Sequence, residues 1–258
     1  MKKNKLAAKV LLVDIETAPI VGHLWGIWEQ NVALNQIVKD WHVMSWAAKW
    51  LNDPPSKVMY QDQRNAKDVS NDKKILEGIW KLLDEADVII TQNGKSFDVK
   101  KLNARFIMHG MQPPSSFKHI DTKRLATKHF GFTSNKLEYM TDKLNKKYKK
   151  LKHNKFPGHS MWTECLKGNK AAWNEMKRYN VYDILSLEEL YYKLIPWDNT
   201  LDFSIFNPNK KMVCSCGSTK FIQNGNSYTS TGVYKRYKCS ECGKEMKMNR
   251  SKENRVKL

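Results

Sequence analysis

The chain has 258 residues, with 45 Lys and Arg against 26 Asp and Glu and a formal net charge of +19. At 41% hydrophobic residues with nine Trp it can bury a core, which excludes disorder over most of its length. No run of about 18 apolar residues occurs, so a transmembrane helix is excluded and no membrane partner is expected. The positive excess calls for a polyanion. Nucleic acid fits best, because neutralising phosphates with Lys and Arg drives sequence-independent binding. Lys2, Lys3 and Lys5 ahead of an apolar stretch imitate a signal peptide, but Lys9 interrupts it and Asp14 and Glu16 follow at once. A cytoplasmic protein is expected. Four of the five Cys crowd between 214 and 242, which suits a metal site in a reducing compartment.

In chain order, Lys9 to Asp14 is a continuously apolar, β-branched run suited to a strand covered on both faces. The Trp residues at 25 to 50 are read as core, with one or two able to stack an unpaired base. Val58 to Gln61 and Val88 to Thr91 read as further strands. Helical periodicity covers about 71 to 85, with Ile75, Leu76, Ile79, Leu82 and Leu83 on one side, then about 97 to 109 and about 170 to 193. This alternation predicts an α/β domain over 1–195, a central sheet flanked by helices. Between them Lys143 to Lys155 holds seven Lys and no acid, either a solvated helical face or a track for phosphates. Residues 196–210 read as a linker, and Trp197, Phe203 and Phe206 predict that it packs along the first domain. From 211 onward there are 11 Lys and Arg against 3 Glu, with a small β domain expected over 211–248 and a basic tail over 249–258.

Three constellations carry chemistry. Asp14 and Glu16 stand two apart at the end of the first strand, so their carboxylates project to one face and call for a cation, most naturally a metal. Asp98 follows the turn at Asn93-Gly94 and sits in the first turn of a helix, where it serves either a metal or the helix dipole. Tyr179 and Asp183, four apart on the long helix, share one face, and a carboxylate in that apolar setting needs a partner or a metal. Tyr182 also flanks the acid, but spacing favours Tyr179. Asp121, just ahead of a helical stretch, reads as an N-cap.

Asp14-Ile-Glu16-Thr17, Asn93 to Phe97-Asp98 and Tyr179-x-x-x-Asp183, in that order, resemble the DEDD superfamily of 3′→5′ exonucleases, the proofreading type on a ribonuclease H-like fold. Arg178 stands where the histidine subclass has His, so the resemblance is to the tyrosine subclass; the stretch Trp25 to Leu51 also resembles exonuclease-like proteins of bacteria and phages, which would place a phage-encoded chain in its host's cytoplasm. The resemblance covers roughly residues 9 to 195 and implies a ribonuclease H-like mixed central sheet there. It implies that Asp14, Glu16, Asp98 and Asp183 hold two Mg²⁺ or Mn²⁺ ions and that Tyr179 orients the attacking water. Two-metal phosphodiester hydrolysis fits four carboxylates independently, because oxygen ligands suit those ions. Thr17, Asn93, Lys95 and Phe97 beside the carboxylates, Lys147 and Lys150 in the basic run, and Lys235 and Arg236 in the tail are the candidate nucleic-acid contacts.

The pairs Cys214/Cys216 and Cys239/Cys242 are each followed by Gly, which permits the tight turn that lets thiolates converge on one Zn²⁺. The arrangement resembles a zinc ribbon. It departs from the usual pattern in its first pair, C-x-C rather than C-x-x-C, which puts Cys214 in question as a ligand. Cys165, isolated, reads as a buried thiol. The expected function is therefore 3′→5′ exonucleolytic hydrolysis, with single-stranded DNA favoured, RNA possible, and a replication or repair protein as a possible partner. A ribonuclease of the same fold is the alternative within the class. A non-catalytic nucleic-acid-binding or scaffold protein is the alternative outside it, disfavoured because all four carboxylates and Tyr179 are present.

Overall fold

An apolar run needs cover on both faces, and Val10–Thr17 (β1) finds it at the centre of a mixed sheet. The computed structural model describes residues 6–152, 155–209, 211–230 and 232–248, and the expected basic tail at 249–258 lies outside them. After β1 come the short β2 (Val21–Gly22) and β3 (Ile37–Lys39), then β4 (Val43–Trp50), β5 (Met59–Asp62) and α1 (Lys73–Glu85). β6 (Val88–Thr91), α2 (Asp98–Met108), β7 (Lys118–Asp121), α3 (Thr122–His129) and α4 (Leu137–Leu144) follow. α5 (Ser160–Leu166) and the long α6 (Lys170–Leu194) complete the first part of the chain. The sheet order is β5-β4-β1-β6-β7, with β6 parallel to β1 and β7 parallel to β6, while β4 runs antiparallel to both β1 and β5.

Period-two alternation divides β1 between two layers. Leu11, Val13 and Ile15 face α1 and α2, packing with Ile75, Leu76, Ile79, Leu102 and Phe106. Val10 and Leu12 face the other way, into a core shared with α3, α4 and the Ile184, Leu187 and Leu190 stripe of α6. Asp14 and Glu16 continue that second face, so the strand delivers both carboxylates under α6.

Between β1 and β4 the chain makes an excursion that pairs only through β2 and β3. With no second layer over it, Trp25 is 97% and Trp28 80% exposed, which corrects the expectation that the aromatics of this stretch are core. Trp46, on β4, is buried as expected and donates its indole N–H to the Ile75 carbonyl at 2.7 Å. The lysine-rich run after α4 is not a helical face: residues 145–152 have no helix.

Residues 195–206 lie along this body as two single-turn helices, Ile195–Trp197 and Phe203–Phe206, with Phe203 in the core beside Leu194. Trp197 remains largely exposed, its ring edge-on to Phe130. The three-stranded antiparallel sheet that follows orders β8 (Phe221–Thr229), β9 (Gly232–Cys239) and β10 (Glu245–Lys247) as β10-β9-β8. Together with four clustered cysteines it fits a zinc ribbon. Its first turn is held to α6, where the Tyr191 hydroxyl donates to the Ser215 carbonyl at 3.2 Å. Among the described residues no helix is long and apolar enough to cross a membrane.

Candidate active site

β1 and β6 run parallel, so their carboxyl ends emerge together, and α6 crosses the same end. There one oxygen each of Asp14, Glu16 and Asp183 lies within 4.8 Å of the others. Asp98, in the first turn of α2, turns back toward β1 and accepts the Ile15 N–H through Oδ1 at 3.1 Å. The four acids that the sequence places in three separate segments are thus neighbours in space.

The electrostatics are those of anions crowded out of water. Burial first, then Asp183, Asp98 and Glu16, push the Asp14 carboxyl well above its usual range. Burial lifts Glu16 to about 8 against the pull of Lys150 and the Trp162 N–H. It lifts Asp98 to about 7 although two backbone N–H groups favour its anion. Asp183 is also raised by burial, opposed by Lys150, whose ammonium donates to Oδ2 at 2.5 Å. Burial disfavours the Lys150 charge, but Asp183, Tyr179 and Asp14 outweigh it and hold this cation above its ordinary range. Asp183 Oδ1 is buried with no hydrogen-bond partner among the described residues. A buried, unpartnered carboxylate oxygen beside two further acids is costly unless a cation meets it, and all the converging donors are oxygens. This donor set fits a hard divalent ion.

Tyr179 belongs to the cluster: it is 6% exposed, edge-on to Trp162, with Lys150 Nζ 4.2 Å from its ring centroid. Tyr182 points elsewhere, against Tyr148. Two orienting residues were not singled out in the sequence. Asn180 donates its amide N–H to Asp14 Oδ2 and accepts from the Ser45 hydroxyl at 3.1 Å. Trp162 donates its indole N–H to Glu16 Oε2 at 2.9 Å. A signal for Asn180 existed, since it lies with Met176, Tyr179, Asp183, Ile184 and Leu187 on the apolar face of α6, an odd place for an amide. No comparable signal marks Trp162, 146 residues from its partner.

The remaining candidates divide. Thr17 ends β1 just past a bulge, opposite Val43. Asn93 adopts φ +68° in the turn after β6, and Gly94 is required there because a Cβ would come within 2.3 Å of Thr91 Oγ1. The N–H groups of Asn93 and Lys95 both donate to Asp121, whose carboxylate also caps α3 through Lys123 and Arg124, as the N-cap expectation had it. Phe97 is 37% exposed beside Asp98. Lys150 joins the carboxylates. Lys147 does not: its backbone is held by Glu189, and its ammonium lies over Tyr148. Lys235 and Arg236 are on β9, remote from the carboxylates in the chain, with the Arg236 guanidinium donating to the Asn224 carbonyl at 2.8 Å.

In the ribbon one Sγ each of Cys214, Cys216, Cys239 and Cys242 lies within 4.8 Å of the others. The C-x-C pair therefore brings Cys214 in with the rest, because Gly217 at φ +86° reverses the chain and donates its N–H to the Cys214 carbonyl at 2.8 Å. Gly243 at φ +79° does the same for Cys239 at 3.0 Å. Four convergent thiols are the donor set of a structural zinc site. Cys165 is buried, packed with Trp173 and Met176.

A five-stranded mixed sheet with its second strand antiparallel, helices on both faces and acids at one end defines a ribonuclease H-like protein. Residues 50–195 match the RNase_H superfamily model, and the chain belongs to that superfamily. The matched stretch contains Asp98, Tyr179 and Asp183, while Asp14 and Glu16 precede it. Among solved structures the fold is similar to that of the family B DNA polymerase from the hyperthermophilic archaeon Pyrobaculum calidifontis, with a TM-score of 0.54 and 17% identity over 73% of this chain. The match takes in 25% of that polymerase chain, and at this identity the likeness is one of fold. No curated protein matches the chain.

Proposed function

We propose that this protein is a metal-dependent 3′→5′ exonuclease of the tyrosine type, removing nucleotides from the 3′ end of single-stranded DNA. The carrying observation is the convergence of Asp14, Glu16 and Asp183, with Asp98 and Tyr179 beside them, at one end of the sheet. Membership of the RNase_H superfamily supports nuclease activity in general. In this reading Asp14, Glu16, Asp98 and Asp183 hold two Mg²⁺ or Mn²⁺ ions, which supply an activated water and stabilise charge on the leaving 3′ oxygen. The chain's own residues do the rest. Asn180 and Trp162 fix the Asp14 and Glu16 carboxylates, as groups hydrogen-bonded to metal ligands commonly do. The Tyr179 hydroxyl orients the attacking water. The ribbon, over 211–248, holds one Zn²⁺ and adds cations for capture. A 3′-trimming enzyme works beside replication or repair proteins, which makes such a protein a candidate partner.

The test is digestion of end-labelled single-stranded and duplex DNA and RNA with Mg²⁺, with Mn²⁺ and with EDTA. A 5′ label should remain on strands that shorten stepwise in either metal and stay intact in EDTA. Internal cuts, or hydrolysis indifferent to metal, would overturn the assignment.

A further inference from the structure

β7 is one of the two outer strands of the five-stranded sheet, and along it lies a cavity of about 750 Å³. Lys95, Lys118, Arg124 and Lys128 line it on the side of the sheet and α3, and residues 198–205 line it on the other. A second cavity, of about 550 Å³, shares Thr200, Leu201 and Asp202 with the first and continues to Arg236 and Lys247 on the ribbon. The two make one groove. Its inner end is the loop leading to Asp98, because Asp121, in the groove wall, accepts the N–H groups of Asn93 and Lys95 from that loop.

The charges of the groove are arranged for an anion. Its acids are engaged by the protein itself: Asp121 by backbone N–H groups, Asp198 by the Thr200 N–H and hydroxyl, Asp202 by the Ser204 N–H at 2.9 Å and Glu245 by Asn224 at 2.9 Å. Lys128 and Arg236 are paired with two of these acids, Asp198 at 3.6 Å and Glu245 at 3.8 Å, whereas Lys118 and Arg124 are exposed and neither they nor Lys95 has an acid within 4.0 Å among the described residues. Free cations strung along a channel match a repeating phosphate better than a single one. No exposed aromatic lines either cavity, so the fit is to a backbone rather than to stacked bases.

We propose that this groove carries the phosphate backbone of a single-stranded polynucleotide whose 3′ end lies among the carboxylates, leading its upstream part along β7 to the ribbon. This rests on the exonuclease reading for the strand's polarity. The groove thereby gives the ribbon its place: it meets the strand after the β7 track, not at the reacting end.

The experiment measures binding of the full, zinc-loaded chain to fluorescent oligothymidylates of twenty and of four nucleotides, with no added Mg²⁺ or Mn²⁺ and no chelator, across a salt series, for the wild type and for Lys118→Glu/Arg124→Glu. The variant should bind the long strand about tenfold more weakly. Its slope of log affinity against log salt should fall by about 1.4, two contacts at about 0.7 each. Binding of the four-nucleotide strand and the Tm should not change. An equal loss on both lengths, or an unchanged salt slope on the long strand, overturns the track. If the reversal unfolds the protein, Lys118→Gln/Arg124→Gln carries the same test. An oligouridylate arm separates sources: equal loss assigns the track to the phosphate backbone, and loss on one sugar alone assigns it to that nucleic acid. Hydrolysis of the short strand in Mg²⁺ is scored separately, so a wild type that binds but does not cut removes the exonuclease reading and leaves the binding result standing.

Discussion

Tyr179 and Tyr182 both precede Asp183, and only Tyr179 shares the space under β1 with Glu16 and Lys150. If the phenol orients the attacking water as proposed, Tyr179→Phe should slow hydrolysis without stopping it, because the carboxylates that would hold the ions are untouched, and Tyr182→Phe should be near wild type. A larger effect at Tyr182 in single-turnover measurements would reverse the choice. The raised carboxyls make a second prediction. Glu16 at about 8 and Asp98 at about 7 hold protons that the unfolded chain releases near pH 4, so between these values the folded state binds more protons. Their contribution to stability is complete below the unfolded values and is lost as pH rises through the folded ones. With no added Mg²⁺ or Mn²⁺ the Tm should therefore fall from about pH 5 to about pH 8, and Mn²⁺ should restore it most at the upper end, where the fewest protons need be displaced. A flat profile without added metal would show that these acids are not buried together. Asp14, Glu16 and Asp183 were legible as residues because spacing within one strand or one helix is a local property. The hydrogen bond from Trp162 to Glu16 was not, since it is set by how α5 docks.

Among the elements, β1, β6, α1, α2 and α6 were readable because their apolar periodicity matches the layers that cover them. β4 was not, although it supplies Trp46, Ala47 and Ala48 to the core. Its Ser45 and Lys49 interrupt the pattern: both are buried, Ser45 on Asn180 and Lys49 on Glu188 at 3.0 Å. Composition likewise could not show that the excursion before β4 lacks a covering layer and exposes Trp25 and Trp28. The N-cap of α3 was legible, and its second task, anchoring the Asn93 to Lys95 turn, was not. Asp121→Asn keeps one carbonyl acceptor where a carboxylate now serves two segments. It should cost about 1 kcal/mol of stability, read from denaturant unfolding, while hydrolysis persists. Complete loss of hydrolysis in a folded Asp121→Asn would place it among the metal-binding acids instead.

At the scale of the molecule, the ribbon is bound to the nuclease fold through Tyr191 on Ser215 and through the Val213 N–H on Ser204 Oγ at 2.9 Å. The purified chain should contain about one zinc. Cys239→Ser should lose it and weaken long-strand binding, because a sheet this small has little core of its own to replace the metal; retention of zinc in elemental analysis of the variant would exclude the four-cysteine site. The charge of +19 calls for a polyanion, while the path proposed for it rests on which cations the fold leaves without acids. The central claim is that the four carboxylates are one metal-dependent catalytic centre. The measurement that meets it most directly is turnover of 5′-labelled single-stranded DNA in Mg²⁺ by Asp183→Asn beside the wild type, with binding followed in parallel. The account predicts stepwise 3′ shortening by the wild type and loss of at least about a hundredfold in the variant with strand binding retained. Comparable turnover by the two proteins would contradict it.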